Sequence, residues 1–212
     1  MRIIVSDVQQ SSKVVVVSGH LCQGTVTVGQ PLLLLPWGDR AVASKIRDAS
    51  SGKPLRSVSF GMVSSLLLSL GVGDEIDGAR VGVGDVLCCH PSRAACAGVI
   101  ETPVATAQKF EARVTTFEGL QIPFIRGSPV QLHIGHVEVA AHLSRLVSLL
   151  DRTGGVKKIK PRAVAAQCMA VVQIKCSRVI CVEESVGGGV LGRFVLRMGG
   201  VTVAAGLVVR VF

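Results

Sequence analysis

A chain that transfers or hydrolyses a nucleotide phosphate needs a glycine loop whose amides cradle the phosphates and a lysine that reaches them, in the spacing G-x-x-x-x-G-K-[ST]. The Gly-Lys pair of this sequence, Gly52-Lys53, has Arg47 where the first glycine belongs and Pro54 where the hydroxyl belongs, so it is not such a loop. Gly187-Gly188-Gly189-Val190-Leu191-Gly192 has the glycine density of a dinucleotide fingerprint, but that fingerprint opens a helix. Here it runs into Arg193-Phe194-Val195-Leu196-Arg197, which alternates as a strand does and makes the glycines a hairpin connection. His133, His136 and His142, with Glu138 among them, offer metal-ligating types. Their spacing matches no ligand pattern, and on a strand His133 and His136 point to opposite faces. Neither a G-x-S-x-G elbow nor a paired-cysteine redox motif occurs, so no activated nucleophile can be named. The expectation is a non-catalytic chain with no metal and no cofactor of its own.

The cysteines, at 22, 88, 89, 96, 168, 176 and 181, form an odd set without a C-x-x-C pair. They are expected to be reduced thiols, mostly buried, in a cytoplasmic protein. The longest uncharged run, Ser57 to Gly73, is interrupted by serines and glycines and falls short of the roughly 20 apolar residues of a membrane helix. Met1-Arg2-Ile3-Ile4-Val5 meets Ser6-Asp7 at once, which is not the apolar core of a signal peptide, so no membrane association or export is expected. The net charge is +9 and uneven: residues 1–100 carry nine Lys/Arg against seven Asp/Glu, and residues 101–212 carry fourteen against seven. That bias favours an acidic partner for the second half, RNA phosphate or an acidic protein face. Aromatics are 3% of the chain, with no Tyr, too few for a reader that stacks single-stranded bases. Contact with RNA would have to run through Lys, Arg and backbone amides.

These side chains must be positioned by strands. Valine, isoleucine and threonine dominate short alternating runs that glycine interrupts every 8 to 12 residues or so, the pattern of an all-β sandwich or barrel. Strands are expected at Ile3 to Val8, Lys13 to Ser18, Pro31 to Leu35, Met62 to Leu70, Phe110 to Thr116, Pro129 to Ile134, Met169 to Lys175, Arg193 to Arg197 and Val201 to Val211. Residues 139–150 admit two readings. Val139, Leu143, Leu146, Val147 and Leu150 fit an amphipathic helix. Val137, Val139, Ala141, Leu143, Val147 and Leu149 fit one face of a strand, with Arg145 the exception. Between Cys89 and Gln108 the pattern lapses into polar, proline-bearing sequence, which marks a linker over 90–106 between a first barrel at 1–98 and a second at 107–212.

With these elements in place, the order of the motifs carries a resemblance. Gly19-His20-Leu21-Cys22-Gln23-Gly24-Thr25-Val26-Thr27-Val28-Gly29 resembles the glycine hairpin of the second domain of translational GTPases, Leu33-Leu34-Leu35-Pro36 the strand after it, and Val83-Gly84-Asp85-Val86-Leu87-Cys88 its closing segment. Phe110-Glu111-Ala112-Arg113-Val114, Pro129-Val130-Gln131-Leu132-His133, Leu150-Asp151-Arg152-Thr153-Gly154, Lys160-Pro161-Arg162 and Ile180-Cys181-Val182-Glu183 resemble the third domain. Its most specific piece is Leu191-Gly192-Arg193-Phe194-Val195-Leu196-Arg197 followed by Gly199-Gly200-Val201-Thr202-Val203-Ala204-Ala205-Gly206. Ile122-Pro123 before Gly127, with Gly199-Gly200, is most similar to the HBS-type ribosome-rescue GTPase that partners Pelota. The eukaryotic class-II release factor comes next, differing at Met198, and elongation factor one-alpha after that.

The resemblance implies an all-β tandem of two antiparallel barrels, monomeric, that link an N-terminal G domain holding GTP and Mg to a Pelota-like or class-I release factor and to small-subunit RNA of the ribosome. Gly192, Arg193, Phe194 and Arg197 are implied contacts for the partner factor, and the basic loop Lys157, Lys158, Lys160 and Arg162 is a further candidate for protein or RNA. Alternation also allows Phe194 and Leu196 to be core, with the arginines outside. Arg2, Lys45 and Arg47 are candidates for the ribosome on the first barrel. An autonomous RNA-binding barrel protein is the alternative of another class.

Overall fold

The computed structural model describes residues 1–11, 14–71, 80–89, 104–185 and 189–212. The chain divides into two compact units, Met1–Pro103 and Val104–Phe212. Of the segment expected as linker, 90–103 lies outside the described residues, and the second unit is already a strand from Ala105 onward. Among the described residues no helix is long and apolar enough to cross a membrane.

The first unit is built from β1 (Arg2–Ser11), β2 (Val14–Gln23), β3 (Thr25–Thr27), β4 (Pro31–Leu35), β5 (Asp39–Asp48), β6 (Pro54–Leu55), β7 (Ser57–Ser59), β8 (Leu66–Gly71) and β9 (Val86–Cys89). Six of them pair in the order β4-β9-β1-β2-β8-β5, and β4 pairs back to β5, so the sheet closes into an antiparallel barrel with β6 hanging from β5. Alternation supplies the lumen: Ile3, Val5, Val15, Val17, Leu32, Leu34, Ala43, Ile46, Leu66, Leu68, Leu70 and Leu87 are fully or nearly fully buried. Closure removes the open edges that a flat sheet of such strands would expose. The expected strand from Met62 begins only at Leu66. Met62 N–H donates to the Ser59 carbonyl across Gly61, whose φ of +85° makes a turn of the preceding residues. Gly24, with φ +78°, ends the hairpin strand β2 where a Cβ would press on the Met1 backbone at 2.9 Å.

The second unit contains β10 (Ala105–Thr116), β11 (Phe124–Ile125), β12 (Pro129–Ile134), β13 (Val137–Leu150), β14 (Val156–Ile159), β15 (Ala163–Val164), β16 (Met169–Val182), a 3-10 turn at Val190–Gly192, β17 (Arg193–Met198) and β18 (Val201–Val211). Its order is β12-β17-β18-β10-β16-β13, closed by β12 against β13, with β14 appended to β13. Both units are therefore six-stranded closed antiparallel barrels, the fold class the alternation implies.

Residues 139–150 are strand, and the ambiguity of their pattern has a structural cause. Register shifts fall between Leu143 and Arg145 and between Leu146 and Ser148, so Ser144 and Val147 are extra residues against β16. Each extra residue turns a two-residue step into three, and the apolar residues that meet the core become Val139, Ala141, Leu143, Leu146 and, partly buried, Leu149. The expectation that Val147 faces inward is corrected, Leu149 packs against the core as expected, and Arg145 ceases to be an exception. The cysteines need a correction too. Of the six described, Cys176 and Cys181 are buried, whereas Cys22, Cys88, Cys89 and Cys168 are half-buried because they lie at or beside strand ends, where the barrel wall thins. Cys96 lies outside the described residues.

Candidate functional site

The Gly192-Arg193-Phe194-Val195-Leu196-Arg197 run is the end of the 3-10 turn and the strand β17. Alternation sends Phe194 and Leu196 into the barrel and leaves Arg193 exposed and Val195 and Arg197 half-exposed on its outer wall. Phe194, a contact candidate from sequence, is 4% exposed, so it is corrected to a core residue. Its ring meets Phe110 edge to face at 5.7 Å. It also lies over Gly206, its cross-strand neighbour on β18, filling the space where a Cβ would stand. Gly192 is buried as well, and a Cβ there would come within 2.9 Å of the Ser185 backbone. It too is corrected from a contact to a packing residue.

Pairing registers show what surrounds Arg193. It lies opposite Leu207 on β18, and Leu207 lies opposite Arg113 on β10. The two arginines flank one apolar residue from strands on either side, about 10 Å apart at the usual strand spacing. The adjacent row across the wall reads His133, Val195, Ala205, Thr115, Met169. Short side chains in the middle of that row and arginines beside it make a cleft of about 750 Å³ on the outside of the barrel. Its far end is walled by Arg152, Thr153 and Gly154 from the β13–β14 connection. Asp151 fixes that connection: its Oδ1 accepts from Thr153 N–H at 2.9 Å, Thr153 Oγ1 at 2.6 Å and Gly155 N–H at 2.7 Å. These donors, the threonine hydroxyl first, hold its carboxyl below the ordinary range. The carboxylate that precedes Arg152 in sequence is thus engaged in its own turn. Among the described residues no Asp or Glu lines the cleft.

Arg152 and Met169 also border a smaller hollow of about 310 Å³, lined further by Lys157. One member of the basic loop therefore joins the arginine face. Lys158, Lys160 and Arg162 are exposed but border neither hollow. Arg197 turns back on its own hairpin: its guanidinium Nη2 donates to the Gly200 carbonyl at 2.5 Å, and its Nε is buried without a hydrogen bond. It clamps the turn between β17 and β18. His133 stands across from Glu138 on β13, Nε2 to Oε1 3.8 Å, and no group of three or more ligating side chains among the described residues is placed to hold a metal ion.

On the first barrel, Lys45 and Arg47 project outward from β5, opposite Ser69 and Leu67 of β8. Arg2 does not join them. It pairs with Gln23 and Cys88, whereas the row of Arg47 reaches β1 at Asp7, five residues and about 17 Å along the strand from Arg2.

Arg113 and Arg152 are the residues that sequence reasoning passed over. The phase of Phe110, Ala112 and Val114 marks Arg113 as outward. That it meets Arg193 follows only from β18 lying between β10 and β17, a non-local pairing.

Residues 109–209 match the family model described as GTP-eEF1A C-terminal domain-like. The HBS1 protein of Drosophila melanogaster is 36% identical over 112 residues, 52% of this chain and 17% of that protein. An elongation factor 1 alpha-like protein of Schizosaccharomyces pombe is 26% identical over 98% of this chain and 31% of its own length, and elongation factor 1-alpha of Saccharolobus solfataricus 26% identical over 100% and 45%. The chain therefore spans less than half the length of these relatives. Among solved structures, Sup35 complexed with GDP superposes with a TM-score of 0.82 at 20% identity, over 100% of this chain and 47% of that one, a likeness of fold. With the matched segment occupying nearly all of the second barrel, that barrel belongs to the GTP-eEF1A C-terminal domain-like family, and the chain is related to the barrel domains of translational GTPases.

Proposed function

We propose that this chain is the non-catalytic barrel module of a ribosome-rescue or termination GTPase, working in the cytoplasm, whose second barrel docks a Pelota-like or class-I release factor. The observation that carries this reading is the cleft in which Arg193 is joined by Arg113 and Arg152, with no acidic residue among the described residues that line it. Rigid, weakly hydrated guanidinium groups beside apolar side chains are the composition of protein interfaces. The similarity to HBS1 favours the rescue factor over the release factor and elongation factor one-alpha. The first barrel, with Lys45 and Arg47 on one stretch of β5, is proposed to meet ribosomal RNA, and GTP with its Mg to be held by a G domain rather than by these barrels.

Calorimetry with a purified Pelota-type factor tests the reading. Arg193→Glu is expected to weaken binding by about 1 to 3 kcal/mol with the fold intact, since the side chain is exposed. Arg197→Glu is expected to weaken binding and also to lower the melting temperature, because it breaks the bond to Gly200. Unchanged affinity for the Arg193 variant removes the assignment. Tight, steeply salt-dependent binding to RNA with no protein partner would favour the autonomous RNA-binding reading instead.

A further inference from the structure

The shape of the arginine cleft says what kind of segment fits it. Its floor is the transverse row from His133 to Met169, running across the strands. Arg193 and Arg113 stand along one side of that row, and Arg152 closes the far end. Arg193 and Arg113, about 10 Å apart at the strand spacing, follow one another along the row, so a segment lying on the floor meets them in turn. An extended chain lying along it presents side chains to that wall at regular steps. Successive residues of an extended chain alternate sides, so positions i and i+2, about 6.6 Å apart, face the same wall. Flexible arginine and glutamate side chains span the remaining few ångströms. A third carboxylate at i+4, about 13 Å from the first, reaches toward the Arg152 end.

We propose that the cleft takes an extended acidic polypeptide segment with carboxylates at alternate positions, two against Arg193 and Arg113 and a third toward Arg152. The proposal rests on the docking reading above and names the segment that docks. Protein is favoured over RNA because Val195, Ala205 and Leu207 give the floor apolar contacts, while Phe194, the one Phe, Tyr or Trp among the described residues of the cleft, is turned into the core and offers no face for a base. Charge complementarity supplies the rest, since among the described residues no carboxylate lines the cleft.

The test uses the chain itself and a fluorescein-labelled peptide of alternating glutamate and threonine, eight residues long, followed by anisotropy at low salt. The comparison probes are a peptide of the same composition with its four glutamates in one block, an alternating lysine-threonine peptide, and an oligouridylate of eight nucleotides. The alternating acidic peptide is expected to bind at least five-fold more tightly than the block peptide, and the lysine peptide not at all. Arg113→Thr and Arg193→Thr, which suit a strand, are each expected to weaken it five-fold or more, and Lys158→Thr, outside the cleft, by less than two-fold. Equal binding of the block peptide, indifference to either arginine, no binding, or tighter binding of the oligouridylate through the same arginines would each overturn the proposal. A Pelota-type factor that still depends on Arg193 while the peptide fails overturns the segment class alone. If the factor also ignores Arg193, the docking reading falls with it.

Discussion

Gly206 offers a test in which two effects of opposite sign compete. A glycine inside a strand usually costs about 0.5–1 kcal/mol relative to alanine, so Gly206→Ala on an open face would stabilise the barrel. Here the position a Cβ would take is filled by the Phe194 ring, itself held edge-on against Phe110. Overpacking a filled core costs about 1–3 kcal/mol. The second effect wins, and the expected net loss is about 0.5–2 kcal/mol. Phe194→Leu alone opens a cavity and costs about 1 kcal/mol or more, but it frees the space the alanine needs. The double variant should be more stable than the sum of the two losses implies by at least about 0.5 kcal/mol. Urea denaturation followed by far-UV circular dichroism measures all four corners of the cycle. Tryptophan fluorescence would not serve, because Trp37, the one tryptophan, belongs to the other unit. A Gly206→Ala protein more stable than its parent, or strict additivity with Phe194→Leu, would refute this account of why the glycine is there.

Further outcomes follow from single side chains. Thr116 is buried, with its hydroxyl 2.7 Å from the Ala165 carbonyl and accepting from Cys168 N–H at 2.9 Å. Thr116→Val should therefore cost about 1–3 kcal/mol in a denaturation experiment by stranding that amide. Ser51 and Ser50 donors lower the Asp48 carboxyl to about 2. Because its folded value lies below the unfolded one, whatever stability it lends is present above the ordinary carboxylate range and lost as pH falls toward 2. NMR titration should place its midpoint near that value, and Ser51→Ala should raise it. Burial pushes the Cys176 thiol up to about 11, so with a thiol-specific reagent near neutral pH it should label far more slowly than half-buried Cys22.

The barrels were legible because alternation and glycine spacing are local properties, and each expected strand from Phe110 to Val211 falls on one that exists. The 139–150 segment was not, for a reason of geometry. Two bulges space its inward residues by three as well as two, which imitates the steps of a helix turn. The outward place of Arg193 was legible from the alternating run, and so was the possibility that Phe194 is core. The cleft was not. Arg113 and Arg193 are 80 positions apart in the sequence, and only the insertion of β18 between their strands makes them neighbours. Arg197 looked equivalent to Arg193 by phase, but a turn two residues later captures its guanidinium.

That inserted strand has a consequence for how the protein is made. Until Val201–Val211 has left the ribosome and slotted between its two neighbours, the cationic patch does not exist as a surface. A half-synthesised or nicked molecule lacking this strand would carry Arg113, Arg152 and Arg193 yet not bring them together, so under the docking proposed above, binding competence doubles as a report that synthesis of the barrel is finished.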